Sequence, residues 1–80
     1  MKSMGKFLRK RRMELGLTQQ EVAGQLGYHC QFISNWERGQ GGVPLAQLRK
    51  ICSIYEINPN DVVELMVESY RHRLQRILHL

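Results

Sequence analysis

The stretch from Thr18 to Glu37 constrains this chain more than any other part of it. Thr18 is followed three residues later by Glu21, the pattern in which the hydroxyl and the carboxylate each satisfy an orphan amide at a helix start. Ala23 then supplies a small side chain, and Gly27, four positions on, supplies a residue that tolerates positive φ. Ile33 follows six further along as a branched apolar plug. Two helices crossing at about 90–120° over a three- or four-residue turn make these demands in this order. Val22, Leu26, Tyr28 and Trp36 fill the other inward positions, and no charge intrudes among them. Each match alone is cheap; together, at fixed spacing, they are specific.

The rest of the chain reads as further helices separated by punctuation. Met4, Leu8 and Leu15 fall at helical spacing, with Arg11 interrupting the stripe and Gly16 ending it. A segment from His29 or Cys30 to Arg38 forms the second arm of the paired helices. Gly39–Gly42 is a loop, and Pro44 stands where a helix can begin without losing a hydrogen bond. Leu45, Leu48, Ile51, Cys52 and Tyr55 mark a fourth helix. Asn58-Pro59-Asn60-Asp61 combines a cap, a first-turn proline and a carboxylate at the positive end of a dipole, opening a last helix over 59–80. The expectation is an all-α chain of five helices forming a single domain over residues 1–80, with the paired helices at 19–38.

The segment LRKRRMELGLTQQEVAGQLGYHCQFISNWERG, Leu8 to Gly39, resembles the Cro/CI-type (XRE) phage-repressor family of helix-turn-helix transcriptional regulators. GLTQQEVA, LG, IS and WERG are its most typical elements, and the likeness extends at lower specificity through Ile57. The resemblance implies a lambda-repressor-like fold whose second motif helix lies in the DNA major groove. It places Cys30, Gln31, Ser34 and Asn35 against base edges, with Phe32 beside them. It places Gln19, His29, Arg38, Gly39, Gln40 and Gly41 along the DNA backbone, Gln19 also bracing the recognition helix. It gives Thr18, Glu21, Ala23, Gly27, Ile33 and Trp36 to the support of the motif, and pairs Arg12 with Glu37. Gln31 and Asn35 each have the donor–acceptor pair that fits adenine N6 and N7, and Phe32 suits a thymine methyl. Two departures bear on specificity. His29 and Cys30 stand where many relatives have Ser and Gln, removing a helix cap and a base reader, and the loop before the fourth helix is glycine-rich where relatives carry Lys or Arg.

Charge agrees with a polyanionic partner. Twelve Lys and Arg against seven Asp and Glu leave +5 on 80 residues. Lys2, Lys6, Arg9, Lys10, Arg11 and Arg12 all precede the first acidic residue. No nucleophile–base pair, phosphate-binding glycine motif or ligand-spaced His and Cys set is legible, so no enzyme activity, cofactor, metal or small-molecule ligand is expected. No apolar run approaches the roughly 20 residues of a membrane span. Met1–Gly5 lacks a secretory core, and Cys30 and Cys52 read as reduced thiols, so the expected location is cytoplasmic, with the nucleoid.

The last helix carries a second signal. Val63, Val67, Tyr70, Leu74 and Ile77 step by four, three, four and three, a heptad-like seam, while Val62, Leu65 and Met66 face the core. Residues 70–80 extend beyond what so small a domain needs to cover itself. Val67, Tyr70, Leu74, Ile77 and Leu78 are therefore expected at a homodimer interface. The rival reading is an antitoxin-like or adaptor module whose C-terminal stripe takes a different polypeptide.

Overall fold

The computed structural model describes residues 2–80 and contains helices and no strand among them. The order is α1 (Lys2–Glu14), α2 (Gln19–Leu26), α3 (Cys30–Glu37), a 3₁₀ turn (Leu45–Gln47), α4 (Leu48–Ile54) and α5 (Pro59–Leu78). This is the five-helix, lambda-repressor-like architecture with an extended last helix. Each junction has a local cause. Thr18 Oγ1 accepts from the Glu21 amide at 3.0 Å, and Glu21 Oε1 accepts from the Thr18 amide at 3.1 Å, which starts α2. Gly27 stops it at φ 74°, turning the chain so that the Tyr28 amide closes on Ala23 O at 2.9 Å. Asn58 Oδ1 accepts the Asn60 amide at 2.9 Å and starts α5.

Two starts differ from the sequence reading. His29 was expected to leave α3 without a cap; instead its Nδ1 accepts the Gln31 amide at 3.4 Å, so an imidazole does the work of the usual hydroxyl. Pro44 does not open α4 directly. It precedes the 3₁₀ turn, and α4 begins three residues later than the apolar spacing implies. Leu45, read as a core position of that helix, is consequently 71% exposed.

The core is formed by Met4 and Leu8 of α1, Val22, Ala23 and Leu26 of α2, Ile33 and Trp36 of α3, and Ile51, Tyr55, Ile57 and Val62 beyond them. Val43 closes it from the loop after α3. Tyr55 is fully buried and its hydroxyl meets no protein partner. Burial pushes its phenol above the usual range, and Glu37 adds to the shift, so this ring is neutral at any ordinary pH.

Two residues of α1 fix how the helices meet. Gly5 lies where a Cβ would sit 2.5 Å from Trp36 O and 2.6 Å from Glu37 O, so only glycine lets α1 reach the end of α3. Arg11, which interrupts the apolar stripe, donates from Nε to Tyr55 O at 3.0 Å and from Nη2 to Glu56 O at 3.1 Å. It thereby ties α1 to the end of α4, where Glu56 holds φ at 50°. A Gly5→Ala variant is expected to lose about 1–3 kcal/mol, because the atoms in the way are backbone and cannot rotate aside. Urea unfolding measures this, and an unchanged midpoint would refute the close approach.

The molecule measures 40 × 24 × 23 Å with a radius of gyration of 12.9 Å, above the roughly 12 Å of a compact chain this size. The excess is α5. Its 20 residues span about 30 Å, more than the other helices can cover.

Candidate nucleic-acid interface

At 100° per residue, Ile33, Trp36 and Glu37 of α3 share one side, and all three are buried. Gln31 and Arg38 point the opposite way and are exposed, with Ser34 and Asn35 half-exposed on the same side and Cys30 exposed at the helix start. Phe32 stands on the flank, 51% exposed, its ring edge-on to Tyr28 at 5.6 Å between centroids. Tyr28 in turn packs on Trp36 at 5.7 Å. The outward face of α3 is thus polar, and a row of aromatic rings supports one edge of it.

Beneath that face, Glu37 anchors the helix by charge. Arg12 Nε lies 2.7 Å from Glu37 Oε2 and Arg12 Nη2 lies 3.0 Å from Oε1, a two-pronged pair. Their side chains are only 11% and 2% exposed. Arg12 Nη1 also donates to Leu17 O at 2.8 Å, binding the turn after α1 into the same cluster. The hydrogen bond to Glu37 holds the guanidinium pKa above its already high value, against the desolvation that lowers it. Gln19, assigned by position to the DNA backbone, donates from Nε2 to Glu37 Oε1 at 3.2 Å. The start of α2 is thereby braced on the end of α3.

The loop after α3 holds Gly39, Gln40 and Gly41, which the resemblance places along the DNA backbone; the first two have amides with partners inside the chain. Those amides already donate to Trp36 O at 3.1 Å and Asn35 O at 2.8 Å, and Gly39 turns the chain at φ 75° to allow it. They cap α3 and are not available to a ligand without undoing the cap. Gly41, at φ 74° with open space around it, is exposed.

Arg38, which the resemblance places along the DNA backbone, lays its guanidinium on the outward face of α3. Nη2 of Arg38 donates to Asn35 Oδ1 at 2.7 Å, and Nε2 of Gln31 donates to the same oxygen at 3.0 Å. Sequence reasoning also missed Gly5, Arg11 and the cap from His29. A glycine inside a helix signals only weak propensity, and Arg11 finds its carbonyls more than forty residues away along the chain.

On α5 the structure groups the seam residues. Val67, Tyr70, Leu74, Ile77 and Leu78 lie on one side, between 40% and 65% exposed, and Val63 continues the stripe. Val62, Leu65 and Met66 turn toward the core. No helix among the described residues is long and apolar enough to cross a membrane.

A short outward-facing helix, reached through a glycine turn from a capped support helix, is the arrangement of the helix-turn-helix class of DNA-binding folds. The chain belongs to the helix-turn-helix domain family, whose sequence pattern matches residues 3–65. Among solved structures it is similar to the restriction-modification controller protein C.AhdI of Aeromonas hydrophila, at 30% identity and TM-score 0.67, covering 74% of this chain and 89% of that one. It is similar also to the clp gene regulator ClgR of Corynebacterium glutamicum, at 26% identity and TM-score 0.70, covering 85% of this chain and 88% of that one. A second ClgR structure, at 24% identity, shares the fold over 96% of this chain and 87% of its own with TM-score 0.71. No curated protein sequence is a significant match. The chain therefore carries the fold of helix-turn-helix DNA-binding transcriptional regulators.

Proposed function

We propose that this chain binds a specific double-stranded DNA operator through α3 and regulates transcription by occupying a promoter, as a repressor or autoregulator. The observation that carries the reading is the polar outer face of α3, lifted from the domain by the buried Arg12–Glu37 pair. An α-helix of this kind fits the major groove, which is about 12 Å wide. Cys30, Gln31, Phe32, Ser34 and Asn35 are the groups that meet base edges in this reading, and Gln19, His29 and Gly41 approach the sugar-phosphate backbone. The net charge of +5 favours that approach, and the affinity falls steeply with salt as counterions are released. C.AhdI is by name a controller protein and ClgR a gene regulator, which accords with regulation by this chain.

The exposed seam of α5 supports a two-fold dimer. Burying it against a second copy removes apolar surface from water at roughly 25 cal/mol per Å². Two recognition helices set about 34 Å apart then favour a palindromic operator. The same seam is the one observation that favours the second reading, a module that holds a different polypeptide. Purification of the chain alone separates them: a clean homodimer supports the regulator, and an aggregating chain supports an absent partner.

Selection of bound DNA from a random pool at physiological salt tests the whole proposal. A Gln31→Ala variant is expected to relax preference, by ~1–3 kcal/mol, at the base pair Gln31 contacts and at the one read by its hydrogen-bond partner Asn35, with other positions unchanged. Uniform loss across all sequences would remove Gln31 from the readers.

A further inference from the structure

The amide oxygen of Asn35 is fully engaged before any ligand arrives. It accepts from Arg38 Nη2 at 2.7 Å and from Gln31 Nε2 at 3.0 Å, two bonds for an oxygen with two lone pairs. The orientation of the amide is dictated by chemistry. Arginine has only donors, so the atom of Asn35 that faces it is the oxygen. Gln31 must then turn its nitrogen to the same oxygen. The spacing is that of neighbours on a helix surface, one turn either way along α3.

Each side chain is left with a defined offering. Asn35 keeps two N–H donors and no acceptor. Gln31 keeps one N–H and a free oxygen. Arg38 adds further donors beside Asn35. We infer that Arg38 is a specificity-determining positioning residue: by occupying Asn35 Oδ1 with Gln31, it restricts Asn35 to acceptor-bearing base edges, so that Asn35 reads guanine and Gln31 reads adenine.

Guanine presents two acceptors in the major groove, O6 and N7, and matches a donor-only patch. Adenine presents one acceptor and one amine, and the amine has nothing to donate to on Asn35. The donor–acceptor pair that Gln31 retains suits adenine N7 and N6. Asn35 by itself fits adenine; with its oxygen engaged it does not. This inference rests on the proposal that α3 reads DNA.

The test is random-pool selection with the full chain, carried out for the wild type, Arg38→Met and Arg38→Lys, together with the salt dependence of binding to the selected site. The wild type is expected to select guanine at the position contacted by Asn35 and adenine at a neighbouring one. The guanine-over-adenine preference should be on the order of tenfold. Arg38→Met frees one lone pair, so adenine should enter at the Asn35 position and that preference should fall to about twofold or less, while the Gln31 position is unchanged. Arg38→Lys keeps a donor and should restore guanine. Because Arg38 acts through Asn35, the slope of log affinity against log salt should be the same for Arg38→Met and wild type. A slope reduced by about one, with every sequence weakened alike, marks a phosphate contact and overturns the inference alone. Selection of adenine by the wild type at the Asn35 position overturns it as well. A wild type that selects no sequence at all overturns the DNA-reading proposal and this inference with it. Arg38 is exposed, and thermal melts establish that the variants remain folded.

Discussion

An Arg12→Met variant is expected to lose about 3–5 kcal/mol of folding stability, the range found when one partner of a buried ion pair is removed. Methionine keeps much of the length and the apolar stem of arginine. What it removes is the compensation for Glu37, whose side chain is 2% exposed and carries its charge within the domain. Gln19 still donates to Oε1, but one neutral amide replaces neither prong of the guanidinium. The bond that holds Leu17 O is lost at the same time. For a domain of this size each kcal/mol lowers Tm by about 4–8 °C, so the loss is large against a total stability of roughly 5–15 kcal/mol. The double variant Arg12→Met/Glu37→Leu removes both charges and should recover most of the deficit, because a fitted apolar pair is close to neutral against a buried ionic one. Denaturant unfolding of the two single variants and the double forms a cycle. A loss below about 1 kcal/mol in Arg12→Met, or a double variant no better than the singles, would show that Glu37 is not an uncompensated charge once Arg12 is gone.

The second large effect falls on association. Leu74→Glu places a carboxylate in the middle of the exposed stripe of α5, on the face where Val67, Tyr70 and Ile77 are also uncovered. Leu74 lies away from the domain core, so the variant should melt close to wild type at low protein concentration. In the proposed dimer such a carboxylate is drawn from water into an apolar seam whose nearest cation, Arg71, sits at its edge, and pairing should be strongly weakened. Sedimentation should then find a dimer for wild type and a monomer for the variant. A site with two half-operators should bind about 10²–10⁴-fold more weakly, since linkage of the two recognition helices is lost. An isolated half-site should bind both proteins alike. A wild type that sediments as a monomer, or a variant that keeps full affinity for the paired site, would take the dimer out of the proposal.

What could be read from the residues alone was local or periodic. The Thr18–Glu21 box is closed between residues three apart, and Gly27 is demanded by the turn it makes, so both follow from spacing. Ile33 and Trp36 lie inward because helical periodicity puts them there. The features that escaped depend on which parts of the chain meet. Gly5 is needed because the carbonyls of Trp36 and Glu37 arrive beside it. Arg11 broke an apolar pattern and so looked like surface, yet its guanidinium closes the end of α4. Leu45 fitted a helix period that a 3₁₀ turn then rotated away. In the candidate interface, the family resemblance nominated Gln31, Asn35 and Arg38 one by one, and side-chain chemistry supported the first two. That they share a single oxygen is a matter of rotamers, which no periodicity encodes.

The last helix has no glycine or proline between Asn60 and Leu78, and it offers two sides with different duties: Val62, Leu65 and Met66 complete the fold, while Val67, Tyr70 and Leu74 remain uncovered. In the proposed dimer, self-association through the uncovered side reinforces the element on which the fold itself closes. A chain that pairs in the proposed way becomes sturdier as it becomes more abundant and more open to proteolysis as it becomes scarce, so its own dosage would set how long each copy survives.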